Sequence, residues 1–364
     1  MNKILQVIPN LNSGGAEKFV VDLSNAMYKT HRNVCIISLE KIENGFFIQK
    51  LNPKIEVISL NKTPGFSLRC VFKMFKAIKQ TKPDVINTHI NGLNYILPII
   101  PFLKAKIFHT IHNDAFKESG KLRRKVLKIL YRRKIIHPIT ISTESNLSYQ
   151  KAYENSLASL IDNGVTKPNL SERYKEVVTE INNLKKNKAT RILINIARIT
   201  PQKNHLRLLK SFKELNEENV ALLIIGDKRN DQLELFEEFI SKIGENVHYL
   251  GVKKNIGDYL SCSDAFVLSS DFEGLPISLL EAISMGVVPI CTPVGGIKDV
   301  IQSNKIGFLS TELTSHALRD QLLNFLKCSD AEVSKLKQRC EEVFINKYTI
   351  DITLEKYLSV YEEK

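Results

Sequence analysis

Two stretches in the second half of the chain carry residue types suited to an anionic ligand that also bears hydroxyl groups. Behind the apolar run Ile192 to Ile196 stands Arg198, then the loop Ile199 to Gln202, then Lys203 and Asn204 ahead of a helical pattern at Leu206, Leu209 and Phe212. Two fixed cations beyond the carboxyl end of a parallel strand suit the concentrated charge of a diphosphate leaving group, which needs such neutralisation when no metal is present. Taken alone, they are equally readable as a solvated pair on a loop. The second stretch, Ser269-Ser270-Asp271-Phe272-Glu273-Gly274-Leu275-Pro276, follows the run Ala265 to Leu268 and leads into a helix predicted from Ile277 to Met285. Gly274 permits a tight turn and Pro276 suits a first helical turn. That helix is apolar at Ile277, Leu279, Leu280, Ala282 and Ile283, so it is expected to be buried, with Glu281 as its one charge. A buried carboxylate needs donors: a pair of ligand hydroxyls would serve, and a neighbouring loop that it caps is the alternative.

Two glycine pairs belong with these. Gly14-Gly15 opens a helical pattern at Val20, Val21, Leu23 and Met27, directly after a strand that ends at Pro9. Backbone N–H groups there could approach an anion closely, although the pair is not G-x-G-x-x-G and could serve only the turn. Pro293-Val294-Gly295-Gly296 ends another strand and could present donors to the same ligand or be only a turn.

The elements that must position these residues follow a βα rhythm. Strands are predicted at Ile4 to Ile8, Val34 to Leu39, Val57 to Leu60, Val85 to Thr88, Lys106 to Ile111 and Pro138 to Ile141, with helical stretches such as Val71 to Lys79 between them. A second series runs through Ile192 to Ile196, Ala221 to Ile225, His248 to Leu250, Ala265 to Leu268 and Val288 to Cys291. Several runs are continuously apolar, as parallel strands covered on both faces are. Thr166 to Ala189 is polar and reads as a linker with one exposed helix. Tyr348 to Tyr361 is helical, and its packing partner is not readable from its place in the chain.

The chain has 364 residues, no Trp, 43% apolar and 25% charged residues, 16 Gly and 12 Pro, which excludes a disordered or fibrous protein. At roughly 150 residues per domain the length suggests two domains. No run reaches the roughly 18 apolar residues of a membrane span, and the start of the chain enters a strand rather than a signal h-region, so a cytosolic protein is expected. Six cysteines without a C-x-x-C pair read as buried free thiols. The charge is lopsided: 26 Lys+Arg against 11 Asp+Glu in residues 1–170, and 26 against 28 in residues 171–364. Lys117 to Lys134 alone holds nine basic residues and one acid, with Leu122, Val126, Ile129 and Leu130 as a helical stripe. A basic amphipathic helix suits an anionic membrane surface; a solvated helix docking those four residues on its own core is the other reading. Nucleic acid is not expected as a partner, since aromatics are not interleaved and no recognition motif is present.

The residues as a whole resemble a known family. Glu273 and Glu281, seven residues apart within FEGLPISLLEAISMGVVPI, resemble the E-x7-E signature of the retaining glycosyltransferases of family four. The likeness extends through GGAE (Gly14 to Glu17), TIHN (Thr110 to Asn113), IDNGV (Ile161 to Val165), ARITPQKN (Ala197 to Asn204), IIGD (Ile224 to Asp227), YLG (Tyr249 to Gly251) and the Gly295-Gly296 loop.

This resemblance implies the GT-B fold, α/β with two Rossmann-like doubly wound domains and a cleft between them. The first would span 1–168 and receive a last helix, 346–364, crossing back to it; the second would span 169–345. It implies a nucleotide-sugar as substrate, no cofactor and no metal, in agreement with the lack of a D-x-D motif. By the resemblance Arg198 and Lys203 clamp the diphosphate, Glu281 accepts from the ribose, Glu273 with Gly274, Leu275 and Pro276 reads the donor sugar, and Gly226 and Val252 also touch the donor. Gly15 contacts phosphates or acceptor, and Gly14, His112 and Asn113 join it on the acceptor side. His112, Arg198, Lys203 and Glu273 would carry catalysis. His89, in NTHI, is the less certain cleft residue and reads better as a satisfied core histidine. Where many relatives have Gly before the clamp Arg this chain has Ala197, for which tighter packing is expected. The expected activity is transfer of a sugar, from a UDP-sugar, to a lipid-linked saccharide in bacterial surface polysaccharide synthesis, on the inner face of the cell membrane. A soluble acceptor, or a non-catalytic nucleotide- or nucleic-acid-binding module, is the rival.

Overall fold

A computed structural model of the chain describes residues 3–42, 45–155, 157–228 and 232–363. Lys364, the end of the expected crossing segment, lies outside them. The chain divides into two compact units, Met1–Val165 with Tyr348–Lys364, and Thr166–Lys347.

The first unit is built on seven parallel strands: β1 Lys3–Ile8, β2 Asn33–Ser38, β3 Glu56–Ser59, β4 Val85–His89, β5 Lys106–Ile111, β6 His137–Thr140 and β7 Ser159–Leu160, in the order β3-β2-β1-β4-β5-β6-β7. The second has six: β8 Arg191–Ile196, β9 Val220–Ile225, β10 Val247–Gly251, β11 Ala265–Leu268, β12 Val288–Cys291 and β13 Phe308–Leu309, in the order β10-β9-β8-β11-β12-β13, again all parallel. The apolar runs explain the arrangement. Ile4, Leu5, Val7 and Ile8 of β1, and Leu222, Leu223 and Ile224 of β9, are fully buried, which requires helices on both faces of each sheet. In each sheet the strand order reverses once, between β1 and β4 and between β8 and β11. Loops beyond the carboxyl ends diverge at such a point and leave room for a ligand. The edge strands β7 and β13 are two residues long and escape the sequence reading because two residues define no period.

One face of the first sheet is covered by helices Leu68–Thr81, Lys121–Arg132 and Thr143–Tyr153, whose Met74, Ile78, Leu127, Tyr131 and Tyr149 share a core with Leu5, Val7 and Ile37. Here the basic stretch departs from expectation. The helix begins only at Lys121, after a separate turn Ala115–Glu118 capped by the Asp114 side chain. Its sheet-facing residues are Leu127 and Tyr131, with Leu130 partly buried against the core. Leu122, Val126 and Ile129 are instead 79%, 46% and 53% exposed, so docking of all four apolar residues on the core is ruled out. Residues 127 and 131 are one turn apart and set the inward face, which turns 122, 126 and 129 outward.

The opposite face carries the helix Gly15–Lys29 and the terminal helix Ile350–Glu363, where the Phe19 and Tyr357 rings lie 5.9 Å apart and Tyr357 Oη meets Thr110 Oγ1 at 3.1 Å. The return of the chain is pinned by Val165, whose N–H donates to Tyr348 O and whose carbonyl accepts from Ile350 N–H. The segment read as an exposed linker contains the helix Tyr174–Leu184, which buries Val177 and Ile181 and belongs to the second unit. Among the cysteines, 35, 70, 291 and 340 are buried, while Cys262 and Cys328 are only partly so. No described helix is long and apolar enough to cross a membrane.

A Cβ at Gly164 would lie 2.5 Å from both Thr349 O and Thr353 Oγ1. Gly164→Ala should therefore lower the thermal unfolding midpoint by several degrees, the effect of about 1 to 3 kcal/mol of overpacking. Gly244→Ala, where the added methyl meets nothing within 4 Å, should stay within about 0.5 kcal/mol of the parent. Scanning calorimetry on the two variants checks both.

Candidate active site

The loops after β8 and β11 flank the reversal point of the second sheet, and they bring Lys203 and Glu273 together at 2.5 Å. The side chains are 16% and 6% exposed, so the pair is largely removed from water. Ser270 Oγ donates to the same carboxylate oxygen. Several bonds hold the two loops as one piece. Asp271 N–H donates to Gln202 O at 2.8 Å and Gln202 Nε2 to Phe272 O at 2.9 Å, while Ser269 Oγ reaches the carbonyls of Lys203 and Asn204. Asn204 adopts a left-handed conformation (φ 47°), which Asn tolerates, and its side-chain oxygen caps the following helix by accepting from Arg207 N–H. Arg207 in turn pairs with Asp271 at 2.6 Å and donates to Ser269 O. Ser270, Asp271 and Arg207 were not singled out in the sequence as site residues. Their roles depend on partners 62 to 69 positions away or on a loop turn with no period.

Arg198 is exposed just beyond the carboxyl end of β8. Glu281 is buried at 7% exposure in the helix Ile277–Ser284, whose other residues are buried too except Ser278. Of the donors considered in the loop after β12, Val294 N–H and Gly296 N–H are engaged within the chain. Gly296 N–H is engaged by Gly274 O at 2.6 Å, and Gly295, at φ 55°, lies where a Cβ would come within 2.1 Å of Glu273 O. It buttresses the Glu273 loop from behind. Gly226 plays a similar part: its N–H donates to Gly251 O, its carbonyl accepts from Tyr249 Oη, and a Cβ would meet Ala197 O at 1.8 Å. Ala197 itself is buried, 8% exposed. Val252 is 46% exposed after β10.

Beneath Lys203, His205 is buried with Nε2 3.0 Å from Asn195 Oδ1, and Asn195 Nδ2 donates to Val267 O in β11. Burial, aided by the Lys203 charge, lowers its pKa to about 3.

In the first unit Gly14 is the N-cap of the helix Gly15–Lys29, and the Glu17 carboxylate folds over it, 2.1 Å from where a Cβ would stand. A negative group thus already sits at this helix N-terminus, where the macrodipole favours it. His112 and Asn113 follow β5 and are partly exposed. His89 is buried at the end of β4, as read, but it also contacts His112, with Nδ1 2.9 Å from His112 Nε2.

These two Rossmann-like units and their loops define an α/β protein with the GT-B architecture. Residues 13–165 match the family model described as Glycosyltransferase Family 4, and residues 178–343 match that described as Glycosyl transferases group 1. An uncharacterized glycosyltransferase of Methanocaldococcus jannaschii is 32% identical over 62% of this chain and 59% of its own length, so the match spans less than two thirds of that relative. A Campylobacter jejuni GalNAc-alpha-(1->4)-GalNAc-alpha-(1->3)-diNAcBac-PP-undecaprenol alpha-1,4-N-acetyl-D-galactosaminyltransferase is 28% identical over 93% of this chain and 97% of that one. The fold matches Anabaena HepE in complex with UDP and glucose with a TM-score of 0.86 over all of both chains, at 15% identity. The chain belongs to the family-four glycosyltransferases.

The His205 site yields a test of stability against pH. The folded chain holds this ring neutral down to about pH 3, whereas in the unfolded chain it takes up a proton near pH 6.5. The unfolded state therefore binds more protons below pH 6.5, and the stability contributed is lost as pH falls from there toward 3. His205→Asn should make that decline shallower. Urea midpoints measured from pH 7.5 to 4.5 read the difference, and parallel curves for the two proteins would remove His205 as its source.

Proposed function

We propose that this glycosyltransferase moves a sugar, with retention of anomeric configuration, from a UDP-sugar to a lipid-linked saccharide in bacterial surface polysaccharide synthesis. The observation that carries the donor half is the Lys203–Glu273–Ser270 cluster at the β8/β11 reversal point, with Arg198 exposed in the loop after β8. In this reading Lys203 and Arg198 neutralise the diphosphate as the bond from the sugar to the phosphate oxygen breaks, and these two cations balance the negative charge that builds up on the leaving group. Glu273 accepts hydrogen bonds from donor-sugar hydroxyls and Glu281 from the ribose. A leaving phosphate oxygen takes the proton of the acceptor hydroxyl on the same face of the sugar. The UDP and glucose bound by HepE and the undecaprenol-linked acceptor in the name of the Campylobacter relative support the substrate classes.

The acceptor half rests on the first unit. Its helix Lys121–Arg132 exposes Leu122, Val126 and Ile129 among Lys121, Lys125 and Arg132, with the Arg124 guanidinium 5.0 Å from the exposed Phe116 ring. The same helical layer exposes Phe66, Leu68, Phe72 and Phe102 by between 63% and 74%. Apolar side chains ringed by cations suit the boundary of an anionic bilayer, where each cation adds roughly 1 kcal/mol and each apolar group enters the acyl region. A lipid-linked acceptor is presented at that boundary.

Glu281→Gln and Lys203→Ala should each reduce transfer by about 10² to 10³-fold in a radiolabelled nucleotide-sugar assay with membrane extract as acceptor. Unfolding midpoints accompany the assay, because removing Lys203 leaves the Glu273 carboxylate buried without its partner. Undiminished turnover in both folded variants would refute the site.

Flotation with phosphatidylglycerol vesicles tests the acceptor half. The chain should float at low salt, and Leu122→Glu with Ile129→Glu should leave it at the bottom of the gradient. A parent chain that does not float at low salt argues for a soluble acceptor, and tight binding to a heteropolymer RNA without binding of UDP argues for the non-catalytic rival.

A further inference from the structure

Behind His112 a line of buried polar side chains runs back into the first sheet, across its reversal point. Gln6 lies in β1 opposite Asn87 of β4, and both are fully buried, as is His89. His89 Nε2 is 2.8 Å from Gln6 Oε1, and His89 Nδ1 is 2.9 Å from His112 Nε2. Asn87 Nδ2 stands farther off, 3.3 Å from His89 Nε2, and its Oδ1 accepts from Thr110 Oγ1. Phe19 presents a T-shaped contact to both imidazoles, at 6.3 and 5.8 Å. Among the described residues His112 Nδ1 has no hydrogen-bond partner, so the line ends at a partly exposed ring nitrogen.

The backbone around His89 is held under constraint. Ile90, which follows it, has φ 52°, a left-handed value that is an outlier for a β-branched residue. At Gly92 a Cβ would lie 2.7 Å from Val7 O in β1. Strain of this kind persists where the surroundings over-determine the conformation, and here it fixes the end of β4 against β1.

Hydrogen-bond polarity then orders the protons. Two amides make opposite demands on His89 Nε2: Gln6 Oε1, at 2.8 Å, only accepts, and Asn87 Nδ2, at 3.3 Å, only donates, so the shorter contact places the His89 proton on Nε2. Burial, with His112 and His109 nearby, holds His89 well below its usual pKa, so its Nδ1 stays a lone pair. That lone pair can only accept, which places the single proton of His112 on Nε2. Burial lowers the His112 pKa to about 3, so its Nδ1 stays unprotonated.

We infer that Gln6 and His89 form a positioning pair that fixes His112 as its Nε2-protonated tautomer, leaving Nδ1 to accept a hydrogen bond from a bound hydroxyl and unable to donate to a phosphate oxygen. That the hydroxyl belongs to a saccharide rests on the function proposed above; the tautomer does not.

Long-range ¹H–¹⁵N correlation spectra of the full chain labelled with ¹⁵N-histidine read the tautomer without any assay of transfer. His112 should be neutral and protonated on Nε2 from pH 5.5 to 8. A proton on Nδ1, or a doubly protonated ring at pH 6, overturns the inference, as would follow from a Gln6 amide turned the other way. His89→Leu should give mixed tautomers at His112 and lower kcat at least tenfold with less than a threefold change in donor KM. His89→Gln, whose carbonyl can accept from His112 Nε2–H, should recover most of that loss. Equal kcat in parent and His89→Leu, or equal loss in Leu and Gln variants that are both folded, overturns the positioning role. If the variants do not fold, the spectrum of the parent still decides the tautomer. Absence of transfer with every nucleotide-sugar beside the expected spectrum would count against the proposed function, and the tautomer would stand.

Discussion

The second unit is organised around one interaction, the ion pair between Lys203 and Glu273. Its two side chains come from loops that leave the sheet in opposite directions at the β8/β11 reversal. Removing both from water is costly, and the cost is offset only if the geometry is good and the remaining lone pairs are satisfied. That demand accounts for much of the local sequence. Ser270 supplies the second hydrogen bond, the Gln202–Asp271–Phe272 bonds hold the loops in register, and Arg207 and Asn204 clasp Asp271. Gly295 is required behind the pair because the Glu273 carbonyl occupies the space of a Cβ.

The first unit meets the same positional problem with neutral groups. At its β1/β4 reversal stand an amide and two imidazoles whose burial keeps them uncharged, joined by hydrogen bonds in place of an ion pair. The excess of positive charge in this half of the chain is carried to a large extent on the outer helices, away from this line: Lys121 to Arg132 holds six cations and Leu68 to Thr81 four. A neutral interior under a cationic exterior separates two tasks that would interfere if shared. Cations near His112 would depress its basicity further and would draw phosphates to a nitrogen that cannot donate to them.

Much of the fold was legible in the sequence because parallel strands buried on both faces read as unbroken apolar runs. Lys106–Ile111, Ala265–Leu268 and Val288–Cys291 coincide with their expected ends, and the other long strands differ by a residue or two. What could not be read were quantities that depend on partners distant in sequence. The basic helix had four candidate inward residues, and only the sheet beneath it selects Leu127 and Tyr131, which were not among them. For the site, Lys203, Glu273 and Glu281 stood out by charge type and spacing, whereas Gln6 and His89 are 83 positions apart and neither is unusual alone. His89 was legible as a buried histidine; its bond to His112 was not.

A common feature of both units bears on how a donor would bind. The groups suited to a ligand are already paired within the chain: Lys203 with Glu273, and the helix N-terminus at Gly14 with the Glu17 carboxylate. On the proposed function, a phosphate approaching Lys203 would replace a carboxylate, and a sugar hydroxyl approaching Glu273 would replace an ammonium. Binding is then an exchange of partners, and its free energy is a difference between two sets of charge-assisted hydrogen bonds. A ligand offering only a phosphate would leave Glu273 without its cation, and one offering only hydroxyls would have to compete with Lys203. A molecule that carries both at the right separation satisfies both ends at once, so the internal pair itself favours a nucleotide-sugar over free phosphate or free sugar.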